Sequence, residues 1–400
     1  MSTRARLAAL FAAIGALVVV AAVLTAVLRP VAATAGSAAG SVGSAAPAFD
    51  VSAGLDDCGH GWGGSAFRVD GGDQDFAVTN TTVDGIEVYL ESVGSTRVYL
   101  DLESLGAGAH ATARVSLGAG RYRFVCLPAD ADPVRGPTVT VGKAPPGAQL
   151  TPGVVPVTRN DLIPVAKAYT AWVAARLPVL QRQVDAVAAD AEEGDRAAAK
   201  RDWLTAHTTY ETLGGAYSAF GDVGDRLDGL PRHGLTGFHL VESQLWQGGT
   251  AQAVAASAHD LSGLVDRLVT TFAGEQLDPG QVGLRAHEIV EDAIQNTLTG
   301  ADDAGSGTSL ATVDANLAGA AAALAPLRGV LASRDDQLAE TQGALSDAEA
   351  LVESHRAADG SWTALSGLDR PARERVDAAL DRAAELLAPV AALCDPRRDT

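Results

Sequence analysis

The chain has 400 residues, 49 Asp+Glu against 30 Lys+Arg for a formal charge of −19, three Cys and one Met. A hydrophobic fraction of 47% excludes wholesale disorder, and the length suggests two domains or three. So acidic a chain is unsuited to nucleic acid, whose phosphates it would repel. With Met1 the sole methionine, a thioether-ligated metal site is excluded too.

Arg4 and Arg6 precede an uncharged, mostly apolar run over 7–28, long enough to span a bilayer with the N-terminus in the cytoplasm. Small residues at Ala33, Thr34 and Ala35 would suit cleavage. Residues 1–35 therefore read as a signal peptide or a retained membrane anchor, and either places the remainder outside the cytoplasmic membrane. No Cys lies nearby for lipid attachment. Residues 36–48, mostly Gly, Ser and Ala, read as a flexible linker. In an oxidising exterior Cys58 and Cys126 can form a disulfide. Cys394 is left over and reads as a small apolar residue on the last helix.

From 49 to 143 the sequence predicts short strands near 76–78, 86–90, 97–102, 111–115 and 122–126, separated by Gly and Asp. Such spacing predicts a small antiparallel β-sandwich. Residues 144–158, rich in Pro and Gly, read as a linker. Beyond it, apolar residues recur every three or four positions, as at Val376, Leu380, Ala383, Leu387 and Val390. Helices are predicted over 159–190, 195–223, 236–247, 251–273, 280–298, 309–357 (with a possible break) and 371–395. Together, 159–400 reads as an all-α bundle.

The most informative stretch is 236–246, TGFHLVESQLW. On a helix, His239 and Glu242 stand three apart on one face, where an imidazole and a carboxylate can share a metal ion. Phe238, Leu240 and Trp246 predict burial, so inward polar groups need partners. His207 and Glu211 are four apart, as are His287 and Glu291, and Asp222, Asp225 and Asp228 follow the second helix. Should Glu211, Asp228 and Glu291 converge on His239 and Glu242, the donor set would be carboxylate-rich with one nitrogen. That suits iron, manganese or calcium better than zinc or copper(I).

The block GFHLVESQLW resembles the motif of imelysin-like proteins. Over about 50–395 the chain is similar to the EfeO-type iron-uptake proteins, which join a cupredoxin-like domain to an imelysin-like bundle. The resemblance runs through 57–62 (DCGHGW), 121–126 (RYRFVC), Tyr210-Glu211, 220–222 (FGD), 290–292 (VED), 359–362 (DGSW) and 368–370 (LDR). It implies a helical-domain metal site of His239, Glu242, Glu211, Asp228 and Glu291, with iron (Fe2+ or Fe3+) as cargo and other divalent cations possible. It also implies two partners, a membrane iron permease and a haem-dependent peroxidase of the Efe system. Where the family often carries a second Glu, this chain has Gly214, which implies one ligand fewer, or recruitment of Asp225 or water. The Arg that usually follows the motif His is Leu240 here.

A type 1 copper centre does not fit the first domain, because there is no Met and His60 and His110 lie far from the segment after Cys126. Cys58 and Cys126 remain open between a disulfide and a second cation site with Glu87, Asp101 or Glu103. His-Glu-x-x-His, Gly-x-Ser-x-Gly and a phosphate loop are missing from the sequence. The resulting expectation is a non-enzymatic, extracytoplasmic iron-binding component that delivers its ion to the permease. The alternatives are a metal-dependent hydrolase using Glu242 or Glu211 and a polysaccharide-binding adhesion module using the sandwich.

Overall fold

The structure, a computed structural model, describes residues 49–230 and 234–398. The expected leader and the 36–48 linker lie outside the described residues. An N-terminal β domain with its strands between 49 and 141 is followed by an all-helical domain.

The strands are β1 (Phe49–Ala53), β2 (Arg68–Val69), β3 (Gly72–Asn80), β4 (Ile86–Ser92), β5 (Val98–Leu105), β6 (His110–Leu117), β7 (Gly120–Pro128), β8 (Val134–Arg135) and β9 (Val139–Val141). They form one sheet in the order β1-β3-β6 and another in the order β2-β9-β7-β4-β5, with β8 beside β7. Strand β3 shows the reason for layering: its side chains alternate buried and outward along nearly its whole length, so one face seeks an apolar partner. Phe76 of β3, Phe124 of β7 and Trp62 supply that contact, their rings meeting edge to face at 5.1–5.7 Å.

The sheets are mixed rather than purely antiparallel, because β1 pairs with β3, and β2 with β9, in parallel. The long connections between these partners allow what a hairpin cannot. Cys58 and Cys126 are joined in a disulfide with Cα atoms 5.9 Å apart. The thiols are thus not available to a cation. Asp101 and Glu103 instead take the Arg397 guanidinium, and Glu87 accepts from the Tyr89 hydroxyl at 2.6 Å.

The helices are α1 (Arg159–Glu193), α2 (Arg196–Glu211), α3 (Gly221–Leu227), α4 (Gly237–Trp246), α5 (Ala251–Phe272), α6 (Gln281–Gln295), α7 (Ser309–Leu324), α8 (Arg328–Leu331), α9 (Leu338–Glu353) and α10 (Arg370–Leu393). Helix α1 starts at a reciprocal cap, in which Thr158 accepts from the Asp161 amide and Asp161 accepts from the Thr158 amide. It stops at Gly194, whose left-handed φ of 78° suits a residue without Cβ. Helix α1 packs against α2 and α5, and α10 against α6 and α9. On α5 the buried Val254, Ala258, Leu261, Val265, Leu268 and Phe272 form a continuous apolar stripe.

Two expected helices are interrupted. The 195–223 segment breaks at Gly214-Gly215 into a 3-10 turn before α3. The 309–357 segment breaks at Pro326, which cannot continue the backbone ladder, and again before Leu338. Ser309–Leu331 is apolar enough by composition to cross a bilayer, yet it is mostly buried inside the bundle as a core segment. Cys394, also buried, caps the end of α10.

Candidate functional site

The site begins with a glycine. Gly237, the first residue of α4, has φ +52°, and a Cβ there would stand 2.1 Å from the Leu227 carbonyl oxygen. Only hydrogen fits between the two backbones. This close approach brings the end of α3 against the start of α4, and with it Asp228 against His239. The His239 Nε2 atom lies 2.9 Å from Asp228 Oδ1, while Nδ1 lies 3.2 Å from Glu242 Oε2. Trp203 of α2 fixes the same turn by donating to the Phe238 carbonyl at 3.0 Å.

His239 and Glu242 are almost wholly buried. Burial alone would lower the histidine pKa, but the hydrogen bonds to Asp228 and Glu242 outweigh it and push the group up to about 10. With a carboxylate oxygen within reach of each ring nitrogen, this geometry favours the doubly protonated ring, which can donate to both acids. Burial likewise tends to raise Glu242, yet hydrogen bonds from His239 and Ser306 hold it below the ordinary carboxylate range. Glu242 Oε1 accepts from the amides of Ala304 and Ser306 at 3.1 and 3.0 Å. Its four acceptor positions are thus largely committed, and it folds the loop after residue 300 over the motif.

These groups line a cavity of about 420 Å³ whose wall carries eight carboxylates against one arginine. Glu211 is buried in that wall. Its Oε2 accepts from Asn316 of α7 at 2.9 Å, and Oε1 lies 3.2 Å from His207 Nε2. Asp302, held by the Thr297 hydroxyl at 2.7 Å, is raised by burial, and further by Glu211, to about 6. Asp303 and the α6 acids Glu288 and Asp292 complete the acidic lining.

Of the five expected ligands, the structure joins His239, Glu242 and Asp228 directly. Glu211 and Glu291 line the same cavity, but Glu291 is half exposed and pairs with His287 at 3.4 Å. Among the described residues no three His, Cys, Asp or Glu side chains are grouped to hold a metal ion; the donors are instead tied to one another by hydrogen bonds. Asp225 is exposed and is not among the cavity's lining residues, so the cavity offers no sign of its recruitment. Gly214 does face the cavity, and a Cβ there would press on Ile289 at 3.1 Å. Asp302 and Asp303 were not expected; the signal was two adjacent acids bracketed by Gly300 and Gly305, a turn that could be aimed inward.

A cavity walled by acids, with the His-x-x-Glu pair in its lining, fits the class: the chain belongs to the imelysin family, whose model (Peptidase M75, Imelysin) matches residues 165–390. Among curated relatives it is similar to iron uptake system component EfeM of Bacillus subtilis, 23% identical over 204 residues, half of this chain and 53% of that protein. It is also similar to iron uptake system component EfeO of Yersinia pseudotuberculosis, 24% identical over 320 residues, 77% of this chain and 82% of that one. The Yersinia pestis EfeO is 25% identical over 321 residues. The chain thus spans about half the length of the Bacillus relative and about four fifths of the Yersinia proteins. The two-sheet β domain is consistent with a cupredoxin-like module.

Proposed function

We propose that this chain is the extracytoplasmic iron-binding component of an iron-uptake system, holding an iron ion in the helical-domain cavity and passing it to a membrane permease. The observation that carries the reading is the cavity itself: eight carboxylates and His239 around about 420 Å³, in a chain whose relatives are named as iron-uptake components. The acidic wall raises the local cation concentration and replaces water around the ion with hard oxygen donors. Binding then requires His239 to exchange a proton for the metal, and Asp228 to turn from hydrogen-bond acceptor to ligand. The disulfide supports an oxidising compartment.

A non-enzymatic role follows from the relatives, which are named as iron-uptake components.

The test is an anaerobic Fe2+ and an aerobic Fe3+-citrate titration of the chain, alongside His239→Ala and Glu242→Gln. Loss of stoichiometric binding in both variants, with folding retained, is the expected result. Unchanged binding in both would overturn the site.

A further inference from the structure

A second histidine in the cavity wall is not accounted for by the ligand set above. His207 of α2 is only 4% exposed, yet among the described residues neither Nδ1 nor Nε2 has a hydrogen-bond partner. Nε2 comes within 3.2 Å of Glu211 Oε1, but off the line a hydrogen bond requires. Orphaned polar atoms at such depth are costly, and native folds seldom leave them without a purpose.

The ring is held in place by packing. It stacks on Trp203 at 4.6 Å with planes 19° apart, and Phe238 lies 5.3 Å away on another side. Glu211, one helical turn on, is itself steadied by Asn316. The centres of the His207 and His239 rings are 5.6 Å apart. For metal–nitrogen bonds of about 2.1 Å, two imidazoles on adjacent positions of one ion have ring centres roughly 4.5–5.5 Å apart, so a small inward shift would let both reach it.

Resting on the iron-binding reading, we infer that His207 is an inner-sphere ligand of the same ion, giving the site two imidazole nitrogens beside its carboxylates. This assigns the cargo class. Two nitrogens move the donor set from purely hard to borderline, which favours a divalent transition ion, Fe2+ among them, over Fe3+ or Ca2+. His239 must give up a hydrogen bond to bind; His207 has none to give up.

The experiment uses Cu2+ as a spectroscopic stand-in, with pulsed electron paramagnetic resonance to count coordinated imidazoles, and Fe2+ titration for affinity. Two imidazoles are expected in the unaltered protein and one in His207→Phe. His207→Phe preserves the stack on Trp203 and should weaken Fe2+ binding by at least about 10–100-fold, the loss already typical of removing a group that only supports a ligand. One imidazole in the unaltered protein overturns the inference, and that count needs no variant to fold. If His239→Ala loses the ion while His207→Phe binds Fe2+ as before, the inference fails and the iron site stands. If the unaltered protein takes up no metal, both fall.

Discussion

The contact at Gly237 makes the sharpest prediction. In Gly237→Ala the new Cβ would sit 2.1 Å from the Leu227 carbonyl oxygen and 2.5 Å from that of Arg226, both backbone atoms that cannot rotate away. The α3–α4 junction must open by about 1 Å to restore ordinary contact. The left-handed φ adds about 1–2 kcal/mol for a residue with a side chain. An opening of that size also stretches the 2.9 Å bond between His239 and Asp228 beyond hydrogen-bond reach. A charge-assisted bond of this kind contributes about 1.5–3 kcal/mol. The sum, about 2.5–5 kcal/mol, corresponds to roughly 5–20 °C in the melting temperature of a domain this size. Thermal melting followed at 222 nm measures it directly. A variant melting within 2 °C or so of the parent would show that the glycine is not what holds Asp228 against His239.

Two further outcomes follow from groups outside the cavity. Burial, with Glu349 and Glu353 nearby and Arg356 opposing, pushes Asp314 up to about 6. Because the folded protein then holds a proton that the unfolded chain releases, stability falls as pH rises between about 4 and 6; Asp314→Asn should therefore stabilise by about 1–3 kcal/mol at pH 7.5 and by almost nothing at pH 4, as read by urea unfolding at the two pH values. The Cys58–Cys126 bridge closes a loop of 68 residues, so the Cys58→Ala/Cys126→Ala pair should lose about 2–4 kcal/mol in the β domain, visible as loss of Trp62 fluorescence at lower denaturant while the bundle transition stays in place.

The helical half was largely legible because its elements declare themselves locally. The stripe from Val376 to Val390 on α10 and the run 236–246 need only the helical period to be read. What failed to show depended on distant partners. Gly214-Gly215 looks like a weak point inside a helix; the need for glycine at 215 shows only in the fold, where a Cβ would strike the Tyr169 hydroxyl at 2.5 Å. The parallel pairing of Phe49 with Phe76 joins segments whose alternation suits either direction. Within the site, His239, Glu242 and Asp228 were readable from spacing and likeness. The depth of His207 was not, since its isolation comes from Trp203 and Phe238 closing around it. Glu291 shared the spacing of Glu211 but sits farther out on α6, a matter of helix rotation that no short pattern encodes.

The tail after α10 has a mechanical consequence. The Arg397 side chain grips Asp101 and Glu103 on β5, and its amide donates to the Val157 carbonyl at 2.7 Å just before α1; the Arg398 guanidinium reaches the Pro128 carbonyl on β7. Arg397 thus joins the start of the bundle to β5, while Arg398 holds the tail to β7. A protease that nicks the proline-rich connector at 144–158 would leave the halves riding together on this second tether, and what the cell would see is a clipped but undivided molecule.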